Sequence, residues 1–188
     1  NGRRRQRQMC IRDRSLIEAN HTGTHLLHQA LRNILGDHVE QRGSMISDEM
    51  FRFDFSHPSK LSSSDLHSIN NFVNSKIKES IPLVENREED YETAINNGAI
   101  GLFTEKYEDK VRTVKFDESY ELCGGTHAKN TSKLKTFSII SEVSQAFGIR
   151  RITATCNEEI ILKELEKKKA SKEKACLLYT SDAADDDH

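Results

Sequence analysis

The apolar residues of "NHTGTHLLHQALRNILG" fall at 26, 27, 30, 31, 34 and 35, the spacing of one helix face. The pattern predicts a helix over 20–36, with Asn20 as its N-cap and Gly36 where it stops. Beyond it the period changes from helical to alternating. In "MFRFDFS", Phe51, Phe53 and Phe55 alternate with Arg52 and Asp54, which predicts a strand. "HVEQRGSMIS" supplies its hairpin partner, and "SDE" the turn between them. "LSSSDLHSINNFVNSKIKES" returns to the helical period, with Leu66, Ile69, Phe72, Val73 and Ile77 on one face. A strand in "IPLVENRE", a short helix in "DYETAINNGA" ended by Gly98, and a strand pair in "KVRTVKF" and "SYEL" follow. "FSIISEVS" and "GIRRITATC" form a last pair, and 158–175 a charged helix whose thin apolar stripe suits the start of a longer coiled element. Strands joined mostly by hairpins predict an α+β fold, an antiparallel sheet packed with helices.

With 188 residues, 35% of them hydrophobic and 31% charged, the chain suits one soluble domain or slightly more. It has no apolar run of membrane-spanning length and no secretory signal, so the expectation is a cytoplasmic protein with no membrane partner. Its ends do not read as domain edges: "NGRRRQRQMCIRDR" carries six arginines, and "CLLYTSDAADDDH" closes in an acidic tract. Residues 1–15 and 176–188 are therefore read as non-native flanks. That leaves a domain over 16–157 and a helix over 158–175 that begins a truncated C-terminal region. The net charge of −2 excludes nucleic-acid binding by overall charge, so such a role must rest on a local basic face. Cys10 and Cys176 fall in the suspect ends. Cys123 and Cys156 are too few for a disulfide framework, and a reducing compartment fits them.

Two motifs carry candidate chemistry. In "YELCGGTHAKN", Cys123 and His127 flank Gly124, Gly125 and Thr126, and the glycines allow positive φ and a tight turn. His21 and His25 stand at i and i+4, stacked on one helix face together with Thr24 and His28. Either motif alone matches often by chance. Together they offer three nitrogens and one sulfur, a set that suits zinc, with the two-histidine helix facing the Cys/His turn. His28, His38, His57 and His67 are read as structural or exposed.

The ordered series "NHTGTHLLHQALRNILGDHVEQRGSMI", "RFDFSH", "GAIGLFTEKY", "YELCGGTH" and "GIRRITA" resembles the editing domain of alanyl-tRNA synthetase, over about residues 16 to 170. "RFDFSH" favours the full-length synthetase over the free-standing editing proteins that share the domain. The threonyl relative usually has Arg-Gly-Pro between its Cys and His, so Gly-Gly-Thr favours the alanyl branch. The resemblance implies zinc-dependent hydrolysis of serine or glycine wrongly attached to tRNA for alanine, whose acceptor end would be the partner. A pocket sized for alanine excludes glycine poorly and cannot strongly reject an added hydroxyl, so a second, destructive site is reasonable. It also implies His21, His25, Cys123 and His127 as metal ligands, Thr24 and Gln41 as polar catalytic-site residues, and Arg150 as a basic neighbour. Arg150 and Arg151 are expected to hold terminal phosphates of the tRNA. ATP belongs only to the aminoacylation domain, which this chain lacks. Four protein ligands usually close a zinc sphere, whereas catalytic zinc keeps a position open. "EVSQAFG" and "ITATCNEE" depart from the family pattern in bulk and in a missing acidic residue and glycine. The rival readings are a free-standing trans-editing protein and a non-catalytic, zinc-stabilised RNA-binding module. Oligomeric state is not read from the sequence.

Overall fold

The computed structural model describes residues 2–101 and 107–181, with side chains for 11–101 and 107–171. The centre of the "GAIGLFTEKY" motif lies outside the described residues, as do the side chains of Cys10 and Cys176. The first helix, α1, runs from Gly2 to Leu35 and does not begin at Asn20. Between Gly2 and Asn20 the chain has neither Gly nor Pro, and its Arg, Gln, Met and Leu residues are good helix formers, so nothing stops the helix there. None of residues 11–18 is buried: Ile11 is 67% exposed, and the first buried position is Ala19. Asn20 is fully buried inside the helix. Its Nδ2 donates to the Ser47 carbonyl at 2.8 Å and its Oδ1 accepts the Cys156 N–H at 2.9 Å. An expected cap is instead a polar rivet between α1 and two distant loops. Gly36 does end the helix, at φ 115°, with its N–H on the Arg32 carbonyl.

A four-stranded antiparallel sheet follows the order β1 (Gln41–Ile46), β2 (Phe51–Ser56), β7 (Ile149–Thr155), β6 (Ser138–Ala146). Alternation puts Phe51, Phe53 and Phe55 on one face with Ile152 and Ala154 of β7. They pack in one buried cluster with Leu26, Leu27, Ala30 and Leu31 of α1 and Ile69, Val73 and Ile77 of α2 (Ser63–Lys78). Each fully buried phenylalanine contributes about 1.5–3 kcal/mol. α2 starts cleanly because Ser62 and Asp65 form a capping box.

The remaining strands form a second antiparallel sheet. β3 (Val84–Asp90), β4 (Lys110–Phe116) and β5 (Ser119–Leu122) pair antiparallel, with the short helix α3 (Tyr91–Asn96) between β3 and β4. α1 makes two sheets workable because it packs on β1 and β2 of the first and on β5 of the second. Its leucine stripe faces one sheet and its histidine stripe the other. A small satellite cluster of Ala94, Ala99, Val111 and Leu122 lies beside the second sheet, covered by Tyr91, Tyr107 and Tyr120. The chain divides into two compact units between Asn157 and Glu158. The second contains α4 (Glu158–Ser181), with Leu162 and Leu165 at least half exposed. Among the described residues no helix is long and apolar enough to cross a membrane.

A candidate metal centre and its cavity

The first sheet-facing turns of α1 and the turn after β5 bring four side chains together. One ligand atom from each of His21, His25, Cys123 and His127 lies within 4.8 Å of every other. Cys123 Sγ stands 3.4 Å from His21 Nε2 and 3.3 Å from His127 Nε2. A nitrogen and a sulfur bound to one tetrahedral zinc would stand about 3.5 Å apart, given bonds of about 2.0 and 2.3 Å. The donor set and its spacing therefore fit zinc. The rings of His21 and His127 stack at 4.0 Å, and that of His25 meets His127 edge-on at 4.4 Å.

Only one glycine of the turn, Gly125, acts by size. Neither Gly124 nor Gly125 takes a positive φ, contrary to the expectation from the motif. A Cβ on Gly125 would come within 2.1 Å of His21 Cε1, whereas one on Gly124 would meet nothing within 4 Å. Gly125 is thus the floor on which the His21 ring lies. Arg112 of β4 fixes the same turn: its Nη1 donates to the carbonyls of Cys123 and Gly125, and its Nε and Nη2 are held by Glu85.

Outer partners orient the imidazoles. The His21 Nδ1–H donates to the Thr126 carbonyl at 3.0 Å. His127 Nδ1 lies 3.3 Å from the hydroxyl of Thr22, which also accepts the Ala128 N–H. Glu121 Oε1 is 3.1 Å from His28 Nδ1, and its Oε2 is 3.6 Å from His25 Nδ1. Sequence reasoning missed Thr22, Arg112 and Glu121. Only Glu121 had a signal, since it stands on β5 two residues before Cys123, and side chains two apart along an extended chain point to the same side.

Burial drives the pKa values. It lowers His21 to about 4, with the neighbouring His25 adding to the shift. Burial likewise lowers His25 and His127. Burial alone would raise the Glu121 carboxyl, but the facing imidazoles of His25 and His28 outweigh it and hold it below the usual range. The three candidate ligand imidazoles are therefore neutral at pH 7, as metal ligation requires. The sign for stability follows. An unfolded histidine titrates near 6.5, above these folded values, so the unfolded chain binds more protons once the pH drops below about 6.5. Chelator-treated protein should hold full stability above pH 6.5 and lose it progressively down to about 4. Urea midpoints between pH 7.5 and 4 check this, and His21→Gln should flatten that part of the profile.

A cavity of about 510 Å³ opens beside the four side chains. Thr24, Gln41, Ser44 and Glu121 line it with His21, His25 and Cys123, and Tyr91, Ile95, Ile100 and Tyr107 add aromatic and apolar surface. The Thr24 hydroxyl donates back to the His21 carbonyl at 2.7 Å, which leaves its oxygen to accept. Gln41 reaches the cavity through a β-bulge. The register of β1 slips between Gln41 and Gly43, which places Gln41 opposite Phe55, on the inner face. Its amide donates to Ser44 Oγ at 3.1 Å. Arg150 and Arg151 do not line the cavity. Arg150 pairs with Glu142 and Arg151 with Asp54. Of the other histidines, His28 is buried against Glu121 and Phe53, His38 and His57 contact each other at 2.9 Å, and exposed His67 meets Asn71.

The α+β frame thus holds a histidine pair on a helix against a Cys-x-x-x-His turn, at the edge of a cavity. Residues 111–153 match the family described as the threonyl and alanyl tRNA synthetase second additional domain. The chain belongs to the alanyl-tRNA synthetase family, in its editing region. It is 55% identical to the alanine–tRNA ligase of Christiangramia forsetii over 140 residues, covering 74% of this chain and 16% of that one. It is 47% identical to the enzyme of a Thermoanaerobacter species over 176 residues, 93% of this chain and 20% of that one. With the enzyme of Thermotoga maritima it shares 49% identity over 156 residues, 81% of this chain and 18% of that one. The chain thus spans at most about a fifth of the length of these relatives.

Proposed function

We propose that this domain hydrolyses the ester of serine or glycine wrongly attached to tRNA for alanine, with zinc held by His21, His25, Cys123 and His127. The observation that carries the reading is the convergence of those four side chains, three of which, His21, His25 and Cys123, line a cavity together with Thr24 and Gln41. Bound zinc would supply Lewis acidity, polarising a carbonyl or acidifying water. The remaining work falls to the chain's own groups. The Thr24 oxygen accepts from the hydroxyl of a seryl group, an interaction alanine has no group to make. The Gln41 carbonyl accepts from the amino group of the esterified amino acid and so orients it. Tyr91 and Tyr107 offer aromatic faces along the cavity wall, and splayed RNA ends are commonly held by aromatic stacking and charge. Arg150 and Arg151 commit part of their five N–H donors to Glu142 and Asp54, and the others serve acceptor-strand phosphates. The cytoplasm, where tRNA is charged, is the compartment that fits this substrate.

Purified protein loaded with zinc should release serine from Ser-tRNA for alanine and leave Ala-tRNA intact. Absence of serine release from zinc-replete, folded protein that still binds the tRNA would favour a non-catalytic, zinc-stabilised RNA-binding module. The four-ligand donor set is the observation on that side. Thr24→Val separates the roles further. It keeps shape and removes the hydroxyl, and a neutral hydrogen bond is worth about 0.5–1.5 kcal/mol net. Serine release should slow roughly two- to tenfold relative to glycine release, with zinc content unchanged. Equal slowing of both would assign Thr24 to helix geometry through its bond to His21.

A further inference from the structure

The geometry points to Glu121 as the positioning residue that decides which nitrogen of His25 is offered to a metal, an inference that rests on the metal centre proposed above. The argument begins with the two imidazoles that already have firm outer partners. His21 gives its Nδ1–H to the Thr126 carbonyl, and His127 turns Nδ1 to the Thr22 hydroxyl. Both thereby present Nε2 to Cys123 Sγ, at 3.4 and 3.3 Å. His25 is only 4% exposed, and its Nδ1 makes no hydrogen bond of normal length. The acceptor it faces is Glu121 Oε2, at 3.6 Å.

A carboxylate is a stronger acceptor than the carbonyl or the hydroxyl used by the other two rings. It favours the tautomer with hydrogen on Nδ1, leaving the Nε2 lone pair for the metal. His28 aims the carboxylate. Its Nδ1 sits 3.1 Å from Oε1, which fixes the headgroup with Oε2 toward His25. Charge gives a second reason. The Glu121 side chain is 11% exposed, and a buried carboxylate needs compensation nearby. The Cys123 thiolate and the Glu121 carboxylate together carry two negative charges, which match a divalent cation held by the four ligands.

The first measurement needs no variant. In chelator-treated wild-type protein, long-range 1H–15N correlations should show His25 as the Nδ1–H tautomer, and finding it as the Nε2–H tautomer would overturn the assignment. In Glu121→Gln, that tautomer preference should weaken, and zinc affinity by chelator competition should fall about 10–100-fold. The urea midpoint of the chelator-treated variant should stay at or above that of wild type. Wild-type zinc affinity with a lowered midpoint would make Glu121 a merely structural residue and sink the proposal. If Glu121→Gln does not fold, the wild-type tautomer decides. Wild-type protein that takes up no zinc would refute the metal centre itself, while the His25 tautomer would still report whether Glu121 sets it.

Discussion

Cys123→Ala is expected to remove both zinc and serine release. Cys123 is the one sulfur among the four candidate ligands, and it stands between two of the imidazoles. Its removal takes away the only ligand that brings negative charge to the cation. The nearest remaining anion, Glu121, faces His25 and His28, so it does not fill the gap. Lewis-acid stabilisation is worth several kcal/mol, and losing about 3–4 kcal/mol slows a reaction roughly 10²- to 10³-fold. Zinc stoichiometry by mass spectrometry under native conditions and single-turnover release of serine from Ser-tRNA measure the two losses together. A variant that has lost its zinc yet deacylates at the wild-type rate would show that the reaction does not need the metal. The structure of the core should survive, because Cys123 packs only at the edge of the main cluster.

Gly125→Ala is expected to behave like a ligand deletion although it removes no ligand. The added Cβ would lie 2.1 Å from His21 Cε1 and 2.7 Å from its Nδ1. No such contact can persist, so the ring must swing off the turn and lose its bond to the Thr126 carbonyl. Structural zinc sites bind with about 10–16 kcal/mol spread over four ligands. The loss of one therefore costs roughly 2.5–4 kcal/mol, or about 10²- to 10³-fold in zinc affinity. Folding stability without metal should change less than zinc affinity, because Gly125 and His21 are both only half-buried. Gly124→Ala is the control. Its Cβ meets nothing within 4 Å, and its φ is not positive, so zinc affinity should remain within about twofold of wild type. Equal loss in both variants would assign the turn's requirement to backbone freedom, and retention in both would show that the His21 ring does not need this floor.

Local periodicity is what the sequence alone determines in this protein. The leucine stripe of α1, the alternating phenylalanines of β2 and the capped apolar face of α2 each state which side of an element is buried. These held because burial acts on faces with fixed periods. The site was legible for the same reason: His21 and His25 share a helix face, and Cys123 and His127 share a turn, so each half is a local object. What lies opposite a face is settled elsewhere. Tertiary packing alone decided that β3, β4 and β5 form their own sheet on the histidine side of α1. It made Asn20 a buried rivet, where its local sequence reads as a cap. It turned Gln41 inward through a one-residue slip that a sequence pattern does not record. It also supplied Thr22, Arg112 and Glu121, whose partners lie between 11 and 105 residues away for the contacts that matter here. A hydrogen bond between distant segments leaves no period in either one. The metal group could therefore be expected from two short motifs, while the residues that hold its imidazoles in place emerged only when the chain had folded around them.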